Sequence, residues 1–287
     1  MSARSDVQSE KSQSYGPLDW VGMSQIQTAI QLVSDANEIL VVPATLDVGV
    51  DLLANNRGIH MSRLYQLHLE HILNQKISAS QMSLYAGKSL ESHSEISRLF
   101  ACKLRLSWPK KTLSLKSELA GFRNYPVEII FEKNLQQEKI WVQFEVIYSS
   151  TCPQSASLSM EILKAQKTPF QHWAATPHAQ RSRAVIQVQI SDLNQNLVED
   201  LIDQSELCLG TPVQTTVKKA DEMRFAELNA ENLMFCEDAA RKIESKLKQL
   251  GHIVGFSIFC EHLESLHPHN AASLKFHNYT RPSVLGW

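Results

Sequence analysis

The chain has 287 residues, enough for one large domain or two small ones at ~100–200 residues each. Apolar residues make up 43% and charged residues 20%, a balance that builds a buried core and excludes a chain disordered throughout. With 28 basic against 30 acidic side chains the formal net charge is −2, so no global basic field exists for non-specific nucleic-acid binding.

Residues 1–15 are rich in Ser, Gln, Glu and Lys and contain no apolar run. They are expected to form a disordered tail, neither signal peptide nor anchor. No apolar run in the chain reaches the ~20 residues that cross a bilayer, so the expectation is a cytoplasmic protein without membrane or nucleic-acid partners. The five cysteines, at 102, 152, 208, 236 and 260, form no CxxC pair, which argues against a disulfide framework and against a structural zinc ribbon.

A β-rich run spans Ile39 to Val50, with Pro43 expected near a strand start or bulge. A helix is predicted from about His60 to Asn74. Leu104 and Leu106 alternate with Lys103 and Arg105, and a further β stretch surrounds Val127, Ile129 and Phe131. Ile140, Val142, Phe144, Val146 and Tyr148 share one face of a strand, opposite Gln143 and Glu145. From Thr151 to Thr176 the chain reads as a Ser/Ala-rich loop with a helical turn. Ile186, Val188 and Ile190 make another strand, and a helix with Asp192 as its cap is predicted to reach Leu207. From Asn232, apolar residues recur at three- and four-residue steps to Leu250, with Gly251 as a natural stop. Val254, Phe256, Ile258 and Cys260 form a late strand. Alternation with polar partners favours antiparallel sheets solvated on one face, and helices inserted among such strands give an α+β fold. No internal repeat is evident. The softest break between strands lies near residue 110.

Four constellations carry candidate chemistry. Thr151, Cys152 and Pro153 directly follow the 140–148 strand, placing a thiol as metal ligand, nucleophile or buried loop cysteine. Pro177 and His178 lead into the 184–190 strand, where an imidazole can approach that thiol or simply form a surface turn. Cys260 to Asn270 packs two carboxylates and three imidazoles into eleven residues. In a helical turn Glu264 and His267 would share a face suited to metal binding or acid–base work, the alternative being a solvated polar segment. Arg57, His60 and Arg63 precede the first helix and offer charge to an anion, as does Lys218. Gly87, Lys88 and Ser89 do not make a phosphate loop, because position 82 is Met where that loop needs Gly.

Taken together, several strings resemble one family, the prokaryotic type IB GTP cyclohydrolase I. They are Gly16-Pro-Leu-Asp-Trp-Val-Gly-Met23, Val42-Pro-Ala-Thr-Leu-Asp47, Arg57-Gly-Ile-His-Met-Ser-Arg63, Thr151-Cys-Pro153 and Pro177-His-Ala-Gln-Arg-Ser182. Further on come Gly210-Thr-Pro-Val-Gln214, Val217-Lys-Lys-Ala-Asp-Glu222, Asn232-Leu-Met-Phe-Cys-Glu-Asp238 and Glu264-Ser-Leu-His-Pro-His269. They run collinearly over nearly the whole chain.

The resemblance implies a metal-dependent enzyme that converts GTP and water to 7,8-dihydroneopterin triphosphate and formate, the first step towards folate and towards some modified tRNA bases. It implies tandem tunnelling-fold modules, each an antiparallel sheet with helices on one face, expected here at 16–110 and 111–274. Residues 275–287 remain as a tail without a role. The family expectation is a homotetramer whose sheets close into barrels, with active sites at subunit interfaces. Zn2+, or alternatively Mn2+ or Fe2+, is the implied metal. Its ligands match Cys152 and His178, then Glu206 and His267, while Glu264 matches a ligand or acid–base group. Glu222 matches a carboxylate that grips guanine, and His60, Arg63, Arg181 and Lys218 are candidates for the triphosphate. One position departs from the pattern: the family shows Cys-Pro-Cys, and here the second cysteine is Gln154. An amide forms no thiolate, so a catalytically impaired GTP- or metal-binding relative is the first alternative. A tunnelling-fold nitrile reductase relative is the second.

Overall fold

The computed structural model describes residues 16–34, 36–165 and 175–285. Its elements run β1 (Leu18–Val33), β2 (Ile39–Leu52), α1 (Met61–His71), β3 (Gln75–Lys76), α2 (Ala79–Ser92), β4 (Phe100–Leu113) and β5 (Ala120–Lys133). Then follow β6 (Glu138–Thr151), α3 (Pro153–Ala165), β7 (Ala179–Ile190), α4 (Gln195–Leu209), α5 (Lys219–Glu231), α6 (Cys236–Leu247), β8 (Ile253–His262) and β9 (Ala271–His277). Among the described residues these strands form one sheet in the order β3-β1-β2-β4-β5-β6-β7-β8-β9. Among the described residues the short β1–β3 pairing is the one parallel pair of strands, beside an isolated parallel bridge between Thr151 and Leu233. Among the described residues no helix is long and apolar enough to cross a membrane.

The expected α+β class holds. Long strands followed by helices and then by further strands occur twice, from β1 to β5 and from β6 to β9, although α3 intervenes between β6 and β7 in the second half. Residue 110, where the sequence suggested a boundary, lies inside β4. The helices cover one face of the sheet. Ile140, Val142, Phe144, Val146 and Tyr148 of β6 are buried there with Ile186 and Val188 of β7, Leu201 of α4, and Ala239 and Ile243 of α6. Removing this apolar surface from water is what holds helices to sheet. The opposite face carries ion pairs such as Arg105–Asp47 at 2.7 Å and Arg183–Glu261 at 2.7 Å.

Several elements depart from expectation. Within the stretch from Thr151 to Thr176, read as a loop with a helical turn, residues 153–165 form the 13-residue helix α3, whose Ser- and Ala-rich sequence gives little apolar period and buries only Ser159; residues 166–174 lie outside the described residues. Helix α4 is capped by Asn194, whose side chain accepts the Leu197 N–H at 3.0 Å. Asp192 instead accepts from Leu193 N. Helix α6 starts at Cys236 rather than 232 and ends before Gly251. Strand β1 went unread because its alternation breaks at a bulge between Met23 and Ile26. Gln25 sits there at φ 59 and donates its N–H to Asp47 Oδ1 at 2.8 Å. The tail is not free: residues 271–277 form β9, and beyond it Trp141 Nε1 donates to Thr280 O at 2.8 Å. Val284 and Leu285 then bury against Ala101, Ile130 and Trp141 on the second face. Glu132, buried beneath them, accepts the N–H groups of Ser283 and Val284 and the Ser283 hydroxyl.

Antiparallel register gathers the strand termini at two ends. At one end Val50 of β2 pairs with Phe100, and Lys133 with Glu138. At the other, Thr151 pairs with Ala179 and Ser182 with His262. The 14 residues of β6 separate these ends by roughly 40 Å.

Candidate active site

Where β6 and β8 finish and β7 begins lies a cavity of about 420 Å³. It is lined by Cys152, Gln154, His178, Glu264 and His267, five residues nominated from sequence and brought together from three separate segments.

Local geometry explains the convergence. Pro153 opens α3, where its missing N–H costs nothing. Cys152 stands just before it, its carbonyl accepting from Ala156 N at 3.0 Å and its sulfur facing the Ser155 N–H at 3.5 Å. The Cys152 N–H donates to His178 O at 3.2 Å, and His178 N–H to Ser155 Oγ at 3.1 Å. Strand end and helix start therefore hold the histidine from both sides.

The imidazole is oriented by side chains. His178 Nδ1 lies 3.0 Å from Gln180 Oε1 and 3.6 Å from Glu264 Oε2. Gln180 Nε2 donates to Ser150 Oγ at 2.9 Å and towards Glu264 Oε1 at 3.4 Å. The Gln180 carbonyl is thus the acceptor facing the ring, which puts the proton of neutral His178 on Nδ1 and the lone pair on Nε2. That is the tautomer a metal or a proton donor needs, with an amide as the supporting partner. Below, His262 is buried with Nε2 3.0 Å from the Tyr148 hydroxyl, and burial pushes its pKa down to about 4. His267 and His269 stack at 5.0 Å between ring centroids on the exposed rim.

The donor set suits a divalent ion in kind: a thiolate, imidazoles and a carboxylate are all donors that Zn2+ accepts. Among the described residues, no three such side chains already stand close enough together to hold an ion. The ligands share a cavity without forming a closed set.

Other nominated residues lie elsewhere. Glu206 is not a cavity residue; Arg123 Nη2 at 2.6 Å and the Tyr125 hydroxyl at 2.9 Å take up its carboxylate, and burial raises its pKa. Lys218 and Glu222 stand exposed at the start of α5. That helix reaches the end of β6 through Asn229, which accepts from Ser149 Oγ at 2.6 Å and Thr151 Oγ1 at 3.3 Å. Seven residues along a helix place Glu222 about 10 Å up the axis from that contact, at the same end of the sheet but outside the cavity wall. Arg181 alternates with the inward-facing Gln180 and Ser182, so it projects from the opposite face. His60 and Arg63 follow β2 and sit at the far end of the sheet, where Arg63 Nη1 donates to Ser92 O at 2.7 Å. The remaining cysteines belong to the core or its margins; burial pushes the thiols of Cys208 and Cys236 up to about 11 and that of Cys260 up to about 12.

Sequence reasoning assigned no individual role to His262, Gln180 or His269, although both histidines belong to the 260–270 cluster. The first two had a legible signal. The inward period of Phe256, Ile258 and Cys260 continues to His262, and that of Ile186 and Ala184 runs back through Ser182 to Gln180. A polar residue on the inward face at a strand end marks a site.

The sequence matches the family described as type I GTP cyclohydrolase folE2 over residues 5–273. The chain belongs to that family. Relatives named GTP cyclohydrolase FolE2 include one from Bdellovibrio bacteriovorus, 36% identical and covering 91% of this chain and 92% of its own. Others come from Pseudomonas putida, 38% identical over 90% of each chain, and from Hydrogenovibrio crunogenus, 35% identical over 90% of this chain and 89% of its own. Membership in the FolE2 family removes the reductase alternative. Among solved structures, the uricase from Arthrobacter globiformis aligns with a TM-score of 0.55 at 6% identity, covering 92% of this chain and 96% of that one. The fold is therefore the tandem tunnelling fold, as the element order already indicated.

Proposed function

We propose that this FolE2 chain is a metal-dependent GTP cyclohydrolase of the cytoplasm, opening GTP to 7,8-dihydroneopterin triphosphate and formate for tetrahydrofolate synthesis. One observation carries the reading: Cys152, Gln154, His178, Glu264 and His267 line a single cavity.

Cys152 and His178, with His267 from the rim, would hold a Zn2+, Mn2+ or Fe2+ ion. Such an ion supplies Lewis-acid activation of water, lowering its pKa towards ~7. The chain's own groups do the rest. Gln180 fixes the His178 tautomer and steers Glu264. Glu264 can accept a proton from water adding at guanine C8 and return it to the departing ring nitrogen, as a positioned general acid–base group does. The apolar walls from Leu158, Met234 and Phe235 limit water around these groups. Gln154 offers an amide that hydrogen-bonds substrate but supplies neither a thiolate nor an acidic proton.

Glu222 would take the guanine N1–H and amine, and Lys218 the phosphates. His60 and Arg63 cannot join them within one chain, since roughly 40 Å of sheet intervenes. In the homotetramer that the resemblance implies, a neighbouring copy would bring its opposite end to the cavity and so give them a role. Arg181, on the non-helical face, likewise needs an adjoining subunit to contribute.

The test is metal analysis paired with turnover. Protein loaded with Zn2+, Mn2+ or Fe2+ is incubated with GTP and product is followed by neopterin fluorescence after oxidation. Product formation supports the reading. Gln154 favours a second one, an impaired GTP-binding relative, which tight 8-oxo-GTP binding without turnover under any of the three metals would select.

A further inference from the structure

Asp221 is fully buried at the start of α5 yet bonds outward, to the turn between β4 and β5. Its Oδ1 accepts the N–H groups of Lys116 at 2.7 Å and Ser117 at 2.8 Å. Its Oδ2 accepts the Ser117 hydroxyl and, at 2.7 Å, the N–H of Lys218. The turn is itself braced. Ser114 Oγ accepts from Leu119 N at 2.8 Å and lies 2.8 Å from Ser117 Oγ, so the Ser114 hydroxyl donates to Ser117 and Ser117 to Asp221.

The segment leading into α5 is pinned to the same hairpin. Arg123 Nη1 donates to Val213 O at 3.0 Å. Thr215 packs so closely on Gly121 that a Cβ there would lie 2.2 Å from Thr215 Oγ1. Meanwhile Lys218, three positions before Asp221, and Glu222, directly after it, are exposed. Lys218 is the N-cap residue and its carbonyl accepts the Glu222 N–H at 3.1 Å, so the opening turn fixes the two backbones against each other. Among the described residues neither the ammonium nor the carboxylate has a partner, and they do not pair with each other. A cation and an anion thus stand exposed on the same opening turn of a helix that a buried carboxylate has locked.

We propose that Ser117 and Asp221 are positioning residues, and that the β4–β5 turn fixes the first turn of α5 so that Lys218 and Glu222 bind GTP as one rigid unit. A guanine edge offers adjacent N–H donors to the carboxylate, and a phosphate offers negative charge to the ammonium. This rests on the reading that Glu222 contacts GTP.

The experiment measures the GTP dissociation constant and the thermal midpoint of the full chain and of S117A, S117T, D221N and E222Q. S117A should bind GTP about tenfold more weakly with its thermal midpoint little changed, and S117T, which keeps the hydroxyl, should bind as the parent does. D221N should weaken binding further. If E222Q weakens GTP binding while S117A and D221N bind normally, the positioning role is overturned and the function of Glu222 stands. If E222Q binds GTP like the parent, the Glu222 reading fails and the positioning role falls with it.

Discussion

The hydroxyl of Tyr148 and Nε2 of His262 meet at 3.0 Å beneath the cavity, with the two rings edge-on at 5.8 Å between centroids. Both side chains are buried. The pair joins the last part of β6 to the end of β8, so the floor of the site depends on it. Tyr148→Phe keeps the ring and leaves an imidazole nitrogen unpaired away from water, which should cost about 1–3 kcal/mol. Urea unfolding of the variant measures it; an unchanged midpoint would show that the contact contributes nothing.

Gln154 lines the cavity next to Cys152, in the position where the family pattern has cysteine. Gln154→Cys restores a group able to ionise. Dihydroneopterin triphosphate formation should rise about 100-fold, the low end of what a positioned proton donor contributes. Equal rates for the parent and the variant would mean that the amide is no handicap.

Gln180 sets the tautomer of His178 without lining up as a ligand itself. Gln180→Leu should therefore lower divalent-metal affinity about 10–100-fold, the usual effect of losing a supporting partner. Cys152→Ser and His178→Ala should abolish stoichiometric metal. Competition against a chromogenic chelator reads all three, and a Gln180→Leu affinity equal to the parent's would remove the orienting role.

His68 is buried on α1 with Nε2 2.8 Å from Thr28 Oγ1, and burial lowers its pKa below 6.5. Burial does the same to His93. A folded state that binds a proton more weakly than the unfolded chain keeps its full stability above pH 6.5. It loses that stability as pH falls from 6.5 through the folded values, by up to ~1.4 kcal/mol per pH unit for each histidine. Thermal midpoints should fall between pH 7.5 and 5. His68→Gln, which keeps a donor for Thr28 and removes the titration, should flatten that fall; identical slopes would exonerate His68.

Much of this architecture is legible in the residues. Strand β2 reads almost end to end because its inward positions Val42, Ala44, Leu46, Val48, Val50 and Leu52 are all apolar, and β6 announces itself through five inward side chains between Ile140 and Tyr148. Helix α2 was invisible for a physical reason. Its buried face includes Ser89 and Ala86 beside Met82 and Tyr85, and Gly87 interrupts it, so no apolar stripe marks its period. Helix α5 hid in the same way, since Asp221 is its one buried residue. At the site, Cys152, His178 and Glu264 stood out as chemistry next to strand ends, and the sheet register then joined them. Glu206 misled because position in sequence cannot reveal that Arg123 and Tyr125, more than 80 residues earlier, take its carboxylate. The distance of His60 and Arg63 from the cavity follows from strand direction, which no local motif encodes.

The strap formed by residues 280–285 also has a consequence in time. Trp141 waits for a carbonyl 139 positions downstream, and Ala101 and Ile130 wait for Val284 and Leu285. At about 5–20 residues per second of synthesis, that leaves an apolar patch on the nascent first half uncovered for on the order of ten seconds. During that interval the emerging polypeptide exposes apolar surface of the kind that aggregates or engages holding chaperones.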